Sequence, residues 1–520
     1  MADEQQPQAA PPEAGGRAKL DILGAVIKRL PAIGEPKTHL NFKQRLKWTG
    51  IILFIFLVLS QITIYGVSPT EAERFIFLEL ILGARIGSLL TLGIGPIVTA
   101  SIILQLLVGS KVLPWDLKSR EGKARFQGVQ KLMTIAFAIF EAFAYVNFGV
   151  ITPVNSNPST FALLIGQLAF GGFLVLLMDE VVSKWGIGSG VSLFIAAGVT
   201  KQIFVRTLSP ITPPGSSVPA GAIPAFITYI QTGELTLAAL AMLPLIATLL
   251  VFFVVVYIQA IKVDIPLAFT SIRGFGRRWP LKFIYTSNMP VILTAALVAN
   301  ASLLGSMLYN RGLPLLGEFD ANGQPTSGLM YFLVPPINTT LQLLVLVLVL
   351  VIFAVTFVAW WKKVQKLKPV FVGSVVAGLI ISILAANAFA GLPPALDVVR
   401  AVTYALFYIA FSVIFSIIWV TTSGMDSESV AKQIEDLGMQ IPGFRRDPRI
   451  VKEVLDRYIP NLALMGGIAV GGLAAIADLT GAIGTGTGIL LTVMIIYNFY
   501  EIIASRYVEE MHPGLRKFFG

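Results

Sequence analysis

An all-α polytopic membrane fold of about twelve spans is the class this sequence predicts, on three observations. Of its 520 residues, 55% are hydrophobic and 13% are charged, whereas a soluble domain carries roughly a quarter charged residues. Mean hydropathy is +0.78, and uncharged runs of about 20 residues recur, the length a helix needs to cross ~30 Å of hydrocarbon. Lys and Arg also collect in alternate loops. Loops 111–128, 262–282, 362–368 and 425–458 are rich in them, 310–340 holds only Arg311, and 151–160, 207–235 and 478–488 hold none. By the positive-inside rule both termini face the cytoplasm.

Taken in order, residues 1–18 are rich in Pro, Gln and Ala and read as a disordered tail. No apolar core with a cleavage site follows, so no signal peptide is expected. Residues 19–30, "KLDILGAVIKRL", put Leu20, Leu23, Ile27 and Leu30 on one face. They form either an interfacial helix or a short linker helix. Spans are expected at 48–67, 89–109, 129–150, 161–182, 185–205, 236–261, 283–309, 341–361, 370–391, 401–424, 459–477 and 481–504.

Residues 68–87 break the pattern, with Glu71, Glu73, Arg74, Glu79 and Arg85 in one segment. Each such charge costs about 2.5–3.5 kcal/mol at mid-bilayer, so this is no lipid-facing span. Phe75, Leu78, Ile81 and Leu82 share a face, which predicts a short amphipathic helix over 70–84. It re-enters from outside and points at an interior cavity. The next segment carries Gly93, Gly95 and Pro96, the start of a half-helix, where proline's missing N–H is harmless. Segment 185–205 is likewise short and glycine-rich at its start.

Catalytic material is thin, and no enzyme is expected. There is no cysteine, and His39 and His512 are the only histidines. No thiol chemistry and no His-rich metal set follow, and no cofactor is implied. "GAIGTGTG" at 481–488 lacks the Lys-Ser or Lys-Thr of a phosphate loop and reads as a flexible helix start. Asn338-Thr339-Thr340 is a sequon, either used or fortuitous. Glu141 lies deep in its span and is functional by default, while Asp179, Glu180 and Asp478 are expected at the interfaces. The arginine clusters "RGFGRRWP" and "GFRRDPR" read either as topology signals or as grips on phosphate.

The motifs "FKQRLKWTG", "TLGIGPIVTASIILQLLVGS", "KWGIGSGVSLFIAAGV", "IPLAF", "PLKFIYTSNMPVILTAAL", "GMQIPGFRR" and "YIPNLALMGG" together resemble the SecY family, of archaeal type. SecY is the channel subunit of the protein-conducting translocon. The resemblance runs from about residue 19 to the end. It implies two inverted five-helix halves, 19–206 and 207–520, closed like a clamshell around a pore. It also implies a ring of Ile94, Val98, Val191, Ile195, Ile292 and Leu491. The 70–84 helix matches a plug, with Glu71, Phe75, Leu78, Glu79 and Leu82 on it. Thr99, Glu141 and Asn300 match a polar cluster at a lateral gate. Arg273, Arg277, Arg278, Arg445, Arg446 and Arg449 match ribosome-docking positions, with rRNA as their partner.

SecE-type and beta-type small subunits, signal peptides, nascent chains and membrane lipid are the further partners the resemblance implies. One departure is an apolar hairpin at 341–391, inserted beside the gate in chain order and expected to pack peripherally. The alternative function is a secondary transporter of small solutes, another inverted-repeat class. It predicts a polar midplane site.

Overall fold

The computed structural model describes residues 29–38, 40–67, 87–110, 112–115, 119–148, 150–155, 157–212, 217–269, 276–320, 323–362, 367–389, 391–436, 439–440 and 448–511. Helix α1 (Phe42–Leu59) starts on a capping box, in which the Asn41 N–H donates to Gln44 Oε1 at 3.2 Å. It ends earlier than the expected 48–67. Thr63 pairs with Ser88 and Val67 with Pro153 instead, so the apolar run beyond Ser60 is used in bridges rather than in helix. There follow α2 (Gly95–Gly109), α3 (Arg120–Asn147), α4 (Pro158–Trp185), α5 (Gly190–Leu208), α6 (Ala222–Gln231) and α7 (Leu235–Gln259).

The second part comprises β1 (Lys262–Phe269), β2 (Gly276–Lys282), α8 (Met289–Asn310), α9 (Gly328–Leu333), α10 (Thr339–Trp361) and α11 (Leu367–Phe389). Then come α12 (Ala395–Thr422), α13 (Ser427–Asp436), β3 (Met439–Gln440), α14 (Pro448–Leu479) and α15 (Gly486–Met511). Ten described helices are long and apolar enough to cross a membrane. The expected twelve included the segments of α1, which starts with Lys43, Arg45 and Lys47, and of α2, which has only 15 residues.

Helix α15 packs against α5, α7, α8 and α14, while α2 packs against α3, α8 and α12. The first five helices therefore meet the later ones along two seams, α2 with α8 and α12 and α5 with α15. The main buried cluster lies between them, with Phe56 stacked on Phe194 at 4.4 Å. Close approach explains one glycine here. A Cβ on Gly171 of α4 would sit 1.7 Å from the Leu89 carbonyl oxygen, so the turn before α2 rests directly on α4.

The basic loops are more ordered than a string of connections. β1 pairs antiparallel with β2, from Lys262 opposite Lys282 to Ala268 opposite Gly276, and β3 adds to the other edge of β1. Ile265, Leu281, Val430, Ile434, Val451 and Leu455 form a core of their own beneath this sheet. Residues of the two arginine-bearing loops thus share one small sheet, whose core includes α13 and the start of α14. Loop 207–235, read as plain connection, holds the amphipathic α6.

The inserted hairpin is present as α10 and α11, packed chiefly on each other and, through α10, on α14 and α7. Its neighbour in chain order is the gate, but its neighbours in space are these two helices. The register fits closely at one end: a Cβ on Gly481 would meet Gln342 Oε1 at 2.5 Å. Leu346 is buried against the bundle, whereas Phe371, Val372, Val376, Ile380 and Leu384 of α11 face outward, as a lipid-facing helix requires.

Candidate functional site

Four helix starts converge at the centre. Gly93, with φ 51°, turns the chain into α2, and Ser287, with φ 56°, turns it into α8. Their cap residues have nearly the same backbone, Ile94 at −87°, −3° and Asn288 at −87°, −8°, and each helix has proline in its first turn. Val98 and Ile292 are the fourth residues of these helices. Ile195 and Leu491 are the sixth residues of α5 and α15. The two halves therefore present their central side chains from matching positions, which is the internal repeat expressed in backbone geometry.

These side chains enclose a cavity of about 30 Å³, walled by Ile94, Val98, Ile195, Ile292 and Leu491 and edged by Asn300 and Thr487. The five aliphatic residues are each 3–5% exposed. Val191 faces a second cavity of about 300 Å³, shared with Val98 and Ile292 and lined also by Ser101, Gln105, Gln130 and Asp179. The smaller cavity holds at most a water or two; the larger is a wider vestibule with both polar and apolar walls. Val98 and Ile292 line both cavities. Sequence reasoning missed Thr487, which stands in α15 where Val191 stands in α5. The repeat "GIGSGVSL" against "AIGTGTGIL" was the signal.

Thr99, Glu141 and Asn300 come together from three helices. Asn300 Nδ2 donates to Thr99 Oγ1 at 3.0 Å, and Thr99 Oγ1 lies 3.1 Å from Glu141 Oε1 and 2.9 Å from the Gly95 carbonyl. The single hydroxyl proton serves only one of those two acceptors at a time. This cluster bridges α2, α3 and α8 beside the small cavity. Ala299, Leu303 and Met307 of α8 share a buried cluster with Ala138, Ala142 and Tyr145 of α3. The Arg311 guanidinium lies 5.2 Å over the Phe148 ring.

The plug residues Glu71, Phe75, Leu78, Glu79 and Leu82 lie outside the described residues, as do Arg273, Arg445 and Arg446. Arg277 and Arg278 stand on β2 opposite Leu267 and Pro266, and Arg449 is exposed at the start of α14. Asp179 and Asp478, expected at the interfaces, are half-buried and engaged: Asp179 accepts from the Val191 N–H and Asp478 from the Thr487 N–H, each at 2.9 Å. Glu180 pairs with Lys131 and Lys184 at 2.8 Å each. "GAIGTGTG" opens α15 at Gly486 through a tight turn, in which Gly481, Gly484 and Thr485 have positive φ and Gly486 has no room for a Cβ. The Asn338 amide nitrogen of the sequon donates to Asp397 at 2.7 Å.

A bundle of membrane-length helices that closes on a narrow aliphatic cavity, with a wider vestibule beside it, defines a multi-pass membrane protein of the channel class. Its family follows from comparison. The chain belongs to the SecY family, whose model matches residues 88–500. It is 40% identical to the protein translocase subunit SecY of Pyrococcus furiosus, over 96% of this chain and 99% of that one. Among solved structures it is similar to a protein-conducting channel, with a TM-score of 0.74 and 37% identity over 94% of this chain and 98% of that one. It is also similar to Sec61 in the canine ribosome-channel complex from the endoplasmic reticulum, with a TM-score of 0.72, 37% identity and the same coverage.

Proposed function

We propose that this chain is the channel subunit that carries secretory polypeptides across the cytoplasmic membrane and releases apolar segments sideways into lipid. The observation that carries this is the convergence of four helix starts on a cavity of about 30 Å³ walled by aliphatic side chains. Such a wall gives ions no ligands and excludes water by fit and dewetting, yet it yields to a passing chain because no covalent or ionic bond crosses it. Ile94, Val98, Val191, Ile195, Ile292 and Leu491 form the seal, and the 70–84 helix plugs it from outside. A solute transporter would need polar ligands at this depth, where the wall is aliphatic.

The seam of α2 and α3 against α8 and α12 is the lateral gate. Its Thr99–Glu141–Asn300 cluster keeps it only modestly closed, since hydrogen bonds between membrane helices average about 0.6 kcal/mol. Arg273, Arg277, Arg278, Arg445, Arg446 and Arg449 dock on rRNA phosphates. Both termini are cytoplasmic, the halves are 19–206 and 207–520, and SecE-type and beta-type subunits complete the complex. The mechanism needs no catalytic group: the ring fits around the chain, and the ribosome supplies the push.

The test is a photo-crosslinking residue at 292 or 491 in channels engaged by a ribosome-stalled secretory chain. Adducts to the chain are expected at both positions and not at Leu346 of α10. Equal labelling at 346 would refute a central path.

A further inference from the structure

The helices α5 and α15 begin on the same device, repeated in the two halves. Before each start the chain turns through a glycine of positive φ, Gly188 at 74° and Gly484 at 81°. The N–H just ahead of that glycine donates to a threonine hydroxyl on another helix, Ile187 to Thr49 of α1 and Ile483 to Thr248 of α7, at 3.0 Å each. The second residue of each helix donates its N–H to a carboxylate of the preceding helix, Val191 to Asp179 of α4 and Thr487 to Asp478 of α14, at 2.9 Å each. The first residue is a glycine with no space for a side chain. A Cβ on Gly190 would lie 2.6 Å from Asp179 Cα, and one on Gly486 would lie 1.8 Å from the Ala477 carbonyl carbon.

The N–H groups of a first helical turn have no partner within the helix, and an anionic acceptor there gives a strong, directional bond aligned with the helix dipole. Two bonds and one steric contact fix how deep each helix sits and how it is rotated. Four residues beyond Val191 and Thr487 come Ile195 and Leu491, one turn up the same face and in the wall of the small cavity. Ile195 and Leu491 are each 3–5% exposed in the wall of a cavity of only about 30 Å³, so a small rotation of either helix changes how that wall closes.

We propose that Asp179 and Asp478 are positioning residues of the pore seal, each setting the height and rotation of the helix that carries Ile195 or Leu491. The inference rests on the pore reading above. The two carboxylates differ in their second oxygen. Asp478 Oδ2 also accepts from Tyr404 Oη at 2.6 Å and from the Thr487 hydroxyl, whereas Asp179 opens onto the vestibule. An amide at 179 keeps the Oδ1 acceptor for the Val191 N–H and loses only its charge.

The experiment reconstitutes the channel complex in planar bilayers and measures ion conductance at rest for Asp179→Ala, Asp179→Asn, Asp478→Ala and, as a reference, Ile292→Gly. Asp179→Ala and Asp478→Ala are expected to raise the open fraction roughly tenfold or more, as loss of a charged hydrogen bond allows, while Asp179→Asn stays near wild type. A merely structural role would lower Tm or yield and leave the pore sealed. Folded Asp179→Ala channels that stay sealed beside leaking Ile292→Gly channels overturn this inference alone. Sealed Ile292→Gly channels overturn the pore reading itself. If Asp179→Ala does not fold, Thr49→Val removes the other bond of the device, and a sealed Thr49→Val channel overturns the inference.

Discussion

Replacing Ile292 by glycine separates sealing from stability. Ile292 is 5% exposed and stands in the wall of both central cavities. Cutting an isoleucine back to alanine in a packed interior costs about 2–5 kcal/mol, and glycine in a helix adds roughly 1 kcal/mol, so the folded state should lose about 3–6 kcal/mol. Leu346, 1% exposed in α10, lines neither cavity, and Leu346→Gly should lose a similar amount.

The two variants differ in what the lost side chain divided. Without Ile292 the space of about 30 Å³ merges with the vestibule of about 300 Å³. Water then spans the seal, since a site needs only ~10–15 Å³ of free volume to hold one. Resting conductance in planar bilayers should rise for Ile292→Gly and stay at the wild-type level for Leu346→Gly, although both denature at lower temperature. Equal conductance for the two variants would refute the assignment of the ring.

Three further outcomes are expected. Gly190→Ala should lower Tm by several degrees because its Cβ would lie 2.6 Å from Asp179 Cα, an overpacking cost of about 1–3 kcal/mol. Gly373→Ala, with nothing within 4 Å, should instead stabilise by up to about 1 kcal/mol, and differential scanning fluorimetry reads both. Reversing Arg445, Arg446 and Arg449 to Glu should weaken ribosome binding, with the loss largest at low salt because the contacts are phosphate pairs. Unchanged cosedimentation would remove the docking role.

Hydropathy and loop charge made most spans legible because lipid selects directly on both. They misplaced α1, since an apolar run continues into 60–67 and hydropathy does not register where a helix stops. The two spans of the 341–391 hairpin were legible from their length and basic turn, but only the family resemblance marked them as an insertion. The hairpin's seat on α14 and α7 was not legible, because lipid-facing and protein-facing leucines look alike in sequence. The ring residues stood out only through the motifs around them, as buried aliphatics carry no mark of their own. Asp179 and Asp478 were visible as charges, but their roles depend on backbone N–H groups contributed by the following helices. The sheet that joins the two arginine loops pairs segments far apart in the chain, which local pattern does not reveal.

Helix α14 is a single element of 32 residues, about 48 Å long at 1.5 Å per residue. Exposed Arg449 stands at its first turn, and Asp478, bonded to α15, at its last. A displacement applied at the Arg449 end therefore reaches the helix carrying Leu491 along one helix, with no loop to absorb it. Pro460, inside α14, is the point where it lacks a backbone donor and bends most easily. In mechanical terms α14 is a pushrod with one soft joint, and the stiffness of that joint sets how much of a load at the surface arrives at the pore.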